Sequence, residues 1–164
     1  MDQLWAPWRL SYVSTTDKKS SEDFICEVDL DSKDRENLVI KRTDLSIVIL
    51  NRYPYNNGHL LIAPRRAVAE LDQMTADELL DSQKLIVECI QSLKRLVRPD
   101  GFNVGLNLGR AAGAGLPGHL HWHIVPRWSG DTNFMTLMDD IRVVVQSLDA
   151  IWQLLRKDLG LPTS

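Results

Sequence analysis

Short apolar segments separated by turn-forming residues dominate the first part of the chain. Runs at 37–42, 45–50 and 59–64 are rich in β-branched or aliphatic residues, and polar residues and the segment YPYNNG separate them. Such runs between turn signals are typical of antiparallel strands. The pattern therefore predicts three strands, with Asn56-Asn57-Gly58 as the turn before the third.

A helical period follows these strands. Thr75 and Glu78 fit a capping box, in which each side chain accepts a hydrogen bond from the backbone of the other residue. Pro99 is a stop signal. The sequence predicts a long helix from Thr75 to the residue before Pro99, and a second helix around 147–159. One face of the long helix carries the apolar residues Leu79, Ile86, Ile90, Leu93 and Val97.

Two further strands complete the pattern. Residues 101–109 alternate apolar side chains with small or polar ones, as does the segment 119–124. Strands, one long helix and two more strands predict an α+β domain with an antiparallel sheet of about five strands and a C-terminal helix. The length of 164 residues fits a single domain, 1–164. Within it we interpret 1–23 as an aromatic N-terminal arm and mobile loop, and 140–164 as a C-terminal helical segment.

Charge and hydropathy argue against two classes of partner. The chain has 19 Lys and Arg against 22 Asp and Glu, a net charge of -3, and so lacks the positive field that drives non-specific nucleic-acid binding. No apolar segment is as long as a membrane span, which needs about 18 residues. The N-terminus does not resemble a secretory signal. We expect a cytoplasmic protein with no nucleic-acid or membrane partner. Its two cysteines, Cys26 and Cys89, agree with that, and Cys89 is expected to be a buried free thiol.

Three of the four histidines lie within five residues of one another, in the stretch GHLHWHIVPRW. On a strand, His119, His121 and His123 would share one face at a spacing of about 6.5–7 Å. Three imidazoles side by side offer the fold little that other residues would not. The pattern therefore favours a functional site.

Two kinds of site are compatible with such a face. Alternating histidines can bind a zinc ion, or one imidazole can attack phosphorus while its neighbours bind oxygens or donate a proton. The preceding loop, 109–118, contains four glycines, which let backbone N–H groups approach an anion closely and so favour phosphate. It is neither a Walker motif nor a dinucleotide fingerprint, because no Gly-Lys-Ser/Thr follows and it leads into a strand. Arg110 and Arg127 flank the site and offer positive charge.

The histidine stretch resembles the signature of the histidine triad (HIT) family of nucleotide hydrolases and transferases. Residues 119–125 fit its His-apolar-His-apolar-His-apolar-apolar motif, and LNRYPYNNGHLLIAPRR is similar to its other signature segment. LWAPWR at the N-terminus and VPRWSGDTNFM after the triad resemble the bacterial branch that includes diadenosine-tetraphosphate phosphorylases. The resemblance covers most of residues 4–138 and implies a HIT-like fold.

The resemblance implies a nucleotidyl transfer. His121 would attack the α-phosphate, and water or inorganic phosphate would resolve the nucleotidyl-imidazole. His123 would contact phosphate oxygens and His119 would orient the site. Imidazole suits this chemistry because it is a good nucleophile when neutral near pH 7 and a good leaving group.

The same resemblance implies a set of substrate-binding positions. Asn51 would contact the ribose and Asn107 the phosphates, whereas Gly115 stands where some phosphorylase-like members carry serine. That departure leaves phosphorolysis and hydrolysis both open. The full set is Asn51, His59, Asn107, Gly113, Gly115 and Trp128.

Some members of the family hold a structural zinc, and the corresponding positions here are Asp23, Cys26, Ala67 and His119. At most three of these residues can be ligands, and one of the three is a carboxylate. Structural zinc is usually held by four sulfur and nitrogen ligands. We therefore expect no structural zinc and no tightly bound cofactor. Magnesium, if required, would arrive with the substrate's phosphates. The resemblance also implies a homodimer with a sheet continuous across the interface.

We expect an enzyme that cleaves an adenine nucleotide at its α-phosphate, with a dinucleoside polyphosphate such as diadenosine tetraphosphate as the substrate. Two alternatives stay open. One is a hydrolase of adenosine phosphoramidates, with the same reactive histidine and a different leaving group. The other is a nucleotide-binding regulatory module with little turnover, against which the intact triad argues.

Overall fold

The structure, a computed structural model, describes residues 23–131 and 146–163. Its strands all pair antiparallel, in the order β1-β2-β3-β5-β4, which confirms the α+β prediction. No helix in these ranges is long and apolar enough to cross a membrane. The elements in chain order are α1 (Phe24–Leu30), β1 (Val39–Arg42), β2 (Ser46–Leu50), β3 (Leu60–Pro64), α2 (Ala76–Val97), β4 (Gly101–Leu106), β5 (Trp122–Arg127) and α3 (Leu148–Asp158).

The histidine strand begins later than its sequence pattern predicts. β5 starts only at Trp122, so His119 and His121 lie in the segment that leads into it. The backbone of that segment bonds elsewhere, since the Leu120 N–H donates to the carbonyl oxygen of Val68 at 2.7 Å. The three histidines therefore occupy different backbone environments rather than three equivalent positions on one strand face.

Helix α1 is an element that the sequence interpretation missed. Asp23, placed in the predicted mobile loop, is its N-cap, and the Oδ1 atom accepts from the N–H groups of Ile25 and Cys26 at 3.1 and 3.2 Å. Aspartate before an apolar residue is a helix-start signal, but the polar composition before it obscured that signal. The rest of the predicted N-terminal arm, and the first residues of the predicted segment 140–164, lie outside the described residues.

Both faces of the sheet are covered by other elements. Helices α2 and α3 pack on one face and build the main core, in which Ile86, Cys89 and Leu93 are buried as expected. Trp152 of α3 is fully buried there, and its Nε1–H donates to the carbonyl oxygen of Val39 at 2.9 Å. Ile25 of α1 packs against the opposite face. The sheet that carries His123 is therefore packed against other elements on both faces.

The apolar side chains of strand β4, which the alternation places on one face, are not equally buried. Phe102 and Leu106 pack against the core, whereas Val104 is 43% exposed. Within the described residues β4 pairs only with β5 and forms one edge of the sheet. An apolar side chain and an unpaired strand edge thus coincide at this side of the molecule.

Gly58 makes the turn before β3 possible. Its φ of +74° lies in the left-handed region that favours glycine, and a Cβ built on it would lie 2.8 Å from Cδ2 of Leu93. The next residue's N–H closes the turn by donating to the carbonyl oxygen of Asn56 at 3.2 Å. The turn that the sequence predicts is confirmed, and it packs directly on α2.

Replacing Gly58 with alanine is expected to lower the free energy of unfolding by about 1–3 kcal/mol, because the change adds backbone strain and a close contact with Leu93. Gly101→Ala is the matched control, since a Cβ there meets nothing within 4 Å. Its effect should stay within about 0.5 kcal/mol. Urea denaturation measures both variants, and equal stabilities would contradict this account of the turn.

Candidate active site

His121 is buried, and a backbone carbonyl fixes the position of its ring proton. Its Nδ1 lies 2.8 Å from the carbonyl oxygen of His119. A carbonyl oxygen only accepts hydrogen bonds, so Nδ1 carries the proton and the neutral ring has its free lone pair on Nε2. His119 thus reaches the site through its backbone.

Burial also keeps the two site imidazoles neutral. It lowers the pKa of His121 below the ordinary value of 6.5, and the hydrogen bond to the His119 carbonyl offsets only part of this. His123 lies beside it, with ring centroids 5.0 Å apart. Burial and the neighbouring His121 lower the pKa of His123 to about 4. At neutral pH His121 is therefore in the form of imidazole that can attack phosphorus.

His59 sets the tautomer of His123. The Nδ1 of His59 accepts from the Tyr55 N–H at 3.1 Å and lies 3.2 Å from the Asn51 side-chain nitrogen. Its proton therefore sits on Nε2, which lies 3.0 Å from Nδ1 of His123. Because that nitrogen of His123 accepts, the His123 proton is on Nε2. His123 then presents an N–H donor of the kind that a phosphate oxygen binds.

Tyr55 is a site residue that the sequence interpretation missed. Its ring stacks on His59 at a centroid distance of 4.8 Å and lies 6.1 Å from the ring of His123. In the sequence it belongs to a turn segment that also contains Tyr53, which is 81% exposed and takes no part in the stack. Nothing in a single sequence separates the two tyrosines.

Asn51 and His59, predicted as substrate-binding residues, also make contacts that lead to the triad: Asn51 contacts His59, and His59 contacts His123. The Asn51 side-chain oxygen accepts from the Tyr53 N–H at 2.9 Å, while its nitrogen faces His59. His59 is fully buried. Their contacts with ribose or phosphate stay predictions, but the structure adds that both residues orient His123.

The glycine loop starts next to the triad. The pairing of β4 with β5 ends at Leu106 and Trp122, so Asn107 and His121 each lie one residue beyond the paired strands. Gly113, with a φ of +87°, ends the short 3-10 turn Arg110–Ala112. Both Gly113 and the following Gly115 are exposed in this loop. Their roles in phosphate binding, and that of Asn107, are still expectations.

Asp131 ties the segment after β5 to the turn before β3. It accepts from Arg127 at 2.6 and 2.9 Å and from the side chain of Asn56 at 2.7 Å. It also accepts from the Trp128 N–H at 3.2 Å. Arg127, expected to supply positive charge, is thus paired with a carboxylate. Trp128 is half-buried beside it, and its proximity to a nucleotide stays a prediction.

Residues 32–130 match the family described as HIT domain. The chain belongs to the HIT family. It is 41% identical over 155 residues to a Mycobacterium tuberculosis protein named AP-4-A phosphorylase, a match that covers 90% of this chain and 79% of that protein. It is 36% identical over 93 residues to the asymmetrical bis(5'-nucleosyl)-tetraphosphatase of Schizosaccharomyces pombe, with coverage of 57% and 50%.

The HIT fold also relates the chain to solved structures. One is the crystal structure of a Zn-bound histidine triad family protein from Mycobacterium smegmatis, with a TM-score of 0.68, 23% identity and coverage of 86% of this chain and 95% of that one. This similarity confirms the predicted fold. The predicted family and its diadenosine-tetraphosphate branch are confirmed by the sequence relatives. The chain is a HIT-family enzyme, a nucleotide hydrolase or transferase.

The positions of the zinc ligands of some HIT proteins come together here with an incomplete ligand set. Donor atoms of Asp23, Cys26 and His119 lie within 4.8 Å of one another, while Ala67 offers none. The His119 ring nitrogens lie 2.7 Å from Asp23 Oδ2 and 2.7 Å from the Pro64 carbonyl oxygen. Structural zinc takes four ligands, mostly sulfur and nitrogen. Three donors already hydrogen-bonded among themselves do not fit it, although its expected absence stays a prediction.

The neutral state of His121 leads to a prediction about pH. Protonation of Nε2 blocks attack, and the pKa of His121 lies below 6.5. We therefore expect kcat/KM to fall as the pH is lowered, because the free nitrogen becomes protonated, with the midpoint of the fall below about pH 6.5. The assay should use a dinucleoside polyphosphate, because such a compound has no terminal phosphate group, whose own pKa of about 6 would complicate the profile. An acid limb centred above pH 7 would show that His121 is not held neutral by burial.

Proposed function

We propose that the chain cleaves dinucleoside polyphosphates such as diadenosine tetraphosphate at the α-phosphate, through a nucleotidyl intermediate on His121. The observation that carries this proposal is the bond from His121 Nδ1–H to the His119 carbonyl oxygen, in a ring that burial keeps neutral. That arrangement leaves Nε2 as the nucleophile. The names of the M. tuberculosis and S. pombe relatives support the choice of substrate.

In the first step Nε2 of His121 forms a bond to the α-phosphorus, and the bond from phosphorus to its bridging oxygen breaks. The leaving nucleoside polyphosphate takes that electron pair. The ring gains positive charge, and the carbonyl oxygen of His119 stabilises it through the Nδ1–H bond. The Nε2–H of His123 donates to a phosphate oxygen and stabilises the charge that accumulates there.

In the second step water or inorganic phosphate forms a bond to the same phosphorus, and an attacking water releases one proton to the solvent. The P–N electron pair returns to His121, which leaves as a neutral imidazole and is ready for the next cycle. Water yields AMP and ATP from diadenosine tetraphosphate, whereas phosphate yields ADP and ATP. We propose that any magnesium comes with the substrate's phosphates and that the reaction takes place in the cytoplasm.

Product analysis tests this function. Diadenosine tetraphosphate is incubated with the protein, with and without inorganic phosphate, and the nucleotides are resolved. ADP and ATP formed only with phosphate identify a phosphorylase, and AMP and ATP in both cases identify a hydrolase. We expect His121→Ala to lose at least about 10³-fold in kcat, because it removes the nucleophile.

Three results would contradict this proposed function. A His121→Ala variant as fast as wild type would refute the covalent mechanism. Rapid cleavage of an adenosine phosphoramidate without turnover of dinucleotides would assign a different leaving group to the same histidine. Tight nucleotide binding without turnover of either substrate would make the chain a binding module.

We also propose a homodimer that joins two sheets along β4. The support is the outer edge of β4, which pairs with no other strand among residues 23–131 and 146–163, and the 43% exposure of Val104 on that strand. An apolar side chain at an open strand edge is a common site of strand pairing between chains. Here a second copy of the chain would cover it.

Light scattering is expected to give the mass of two chains for wild type and of one chain for Val104→Glu, because a carboxylate buried at the interface would lack a partner. Val87→Glu is the matched control, since Val87 is 59% exposed on α2. That variant should remain dimeric. A wild-type mass of one chain would rule the dimer out.

A further inference from the structure

We propose that Asp23 is a positioning residue for the nucleophile His121, and that it acts by hydrogen bonds through His119. In this chain those hydrogen bonds lie at the position where some HIT proteins bind zinc. The expected effect on turnover rests on the proposed function. The effect on the His121 ring can be measured without any turnover.

Asp23 links the start of α1 to the triad with its two carboxylate oxygens. Oδ1 caps the helix by accepting from the N–H groups of Ile25 and Cys26. Oδ2 lies 2.7 Å from Nδ1 of His119, and the Cys26 thiol donates to the same oxygen at 3.3 Å. The helix cap fixes the carboxylate, and the carboxylate then fixes one side of the His119 ring.

The His119 ring is held from its opposite side as well. It is fully buried, and its Nε2 lies 2.7 Å from the carbonyl oxygen of Pro64, at the end of β3. Close polar contacts at both ring nitrogens define the position and the plane of the imidazole. The ring of His119 is therefore held in place between the start of α1 and the end of β3.

The fixed position of the His119 ring determines where the backbone carbonyl of the same residue lies. Ring and carbonyl belong to one residue, and that carbonyl accepts the Nδ1–H of His121 at 2.8 Å. If the ring loses its Asp23 contact, the carbonyl can shift and His121 can adopt the other tautomer, in which Nε2 carries the proton. That tautomer cannot attack phosphorus. Loss of Asp23 should thus lower kcat more than it changes KM.

Zinc is the competing explanation for the same residues. The Zn-bound relative from M. smegmatis shares the fold at 23% identity, and in this chain Asp23, Cys26 and His119 stand close together. Two observations favour the hydrogen-bonded arrangement. The fourth position is Ala67, and Asp23 Oδ1 is already engaged by the helix N-terminus.

Two substitutions separate the capping role of Asp23 from its contact with His119. Serine is as good an N-cap as aspartate but is too short to reach the His119 ring, whereas asparagine keeps both the cap and the reach. We expect Asp23→Ser to lower kcat by about tenfold or more, the scale of lost outer-shell hydrogen bonds, with KM within about twofold. Asp23→Asn should recover most of the loss.

Asp31→Ser is the matched control. Asp31 lies at the other end of α1, where its side chain accepts from the Lys33 N–H and from Asn37. The substitution removes the same charge from the same helix without touching the triad, so kcat should not change. A kcat of Asp23→Ser equal to that of wild type would overturn the proposal, as would an Asp23→Asn variant as slow as Asp23→Ser.

Nitrogen NMR of the histidine rings tests the structural step independently of turnover. Wild type should show His121 in the Nδ1–H tautomer, and Asp23→Ser should show a mixture of tautomers. An unchanged His121 tautomer in Asp23→Ser would refute the positioning role even if dinucleotides are cleaved. If wild type cleaves no dinucleotide, the proposed function fails while this measurement still decides the role of Asp23.

Zinc titration of chelator-treated wild type completes the test. We expect no stoichiometric binding by calorimetry and an unchanged His121 spectrum after zinc is added. One tightly bound zinc ion per chain that shifts the His121 signals would overturn the proposal, because the metal would then hold His119.

Discussion

The hydrogen bond from His121 Nδ1–H to the His119 carbonyl oxygen is the interaction on which the candidate site depends. It selects the nitrogen that can react, and burial of the ring keeps that nitrogen unprotonated. The bond is available because residues 119–121 precede the ladder of β5, which begins at Trp122. Had the strand started at His119, its carbonyl would have been drawn into pairing with a neighbouring strand.

All four histidines of the chain take part in this arrangement, each in a different way. His121 offers a lone pair and His123 an N–H, although both rings are neutral. His59 enforces that difference by donating to His123, while His119 contributes a carbonyl. Similar side chains are thus distinguished by the hydrogen bonds they make. The proposed nucleophile and the proposed hydrogen-bond donor to phosphate lie side by side as two neutral rings.

Periodic patterns predicted the sheet and the long helix, because the alternation of apolar residues and the capping box of α2 are local signals. The family was recognised separately, from the resemblance of the histidine stretch and the segment LNRYPYNNGHLLIAPRR to its signatures. Other features depend on contacts between distant parts of the chain. Asp23 meets His119 across 96 positions and His59 meets His123 across 64, and no spacing rule reveals which ring nitrogen faces which partner. The exposure of Val104 escaped prediction for the same reason, since period alone does not show which strand lies at an edge.

The central claim is that His121, and no other residue, carries the nucleotidyl group during the reaction. Rapid acid-free quenching of the enzyme during turnover of diadenosine tetraphosphate, followed by peptide mass spectrometry, tests it most directly. We predict a mass increase of one adenylyl group on the peptide that contains the triad, with fragmentation placing it on His121. An adenylyl group on His119, His123 or a residue outside the triad, or no adduct during steady turnover, would contradict the account.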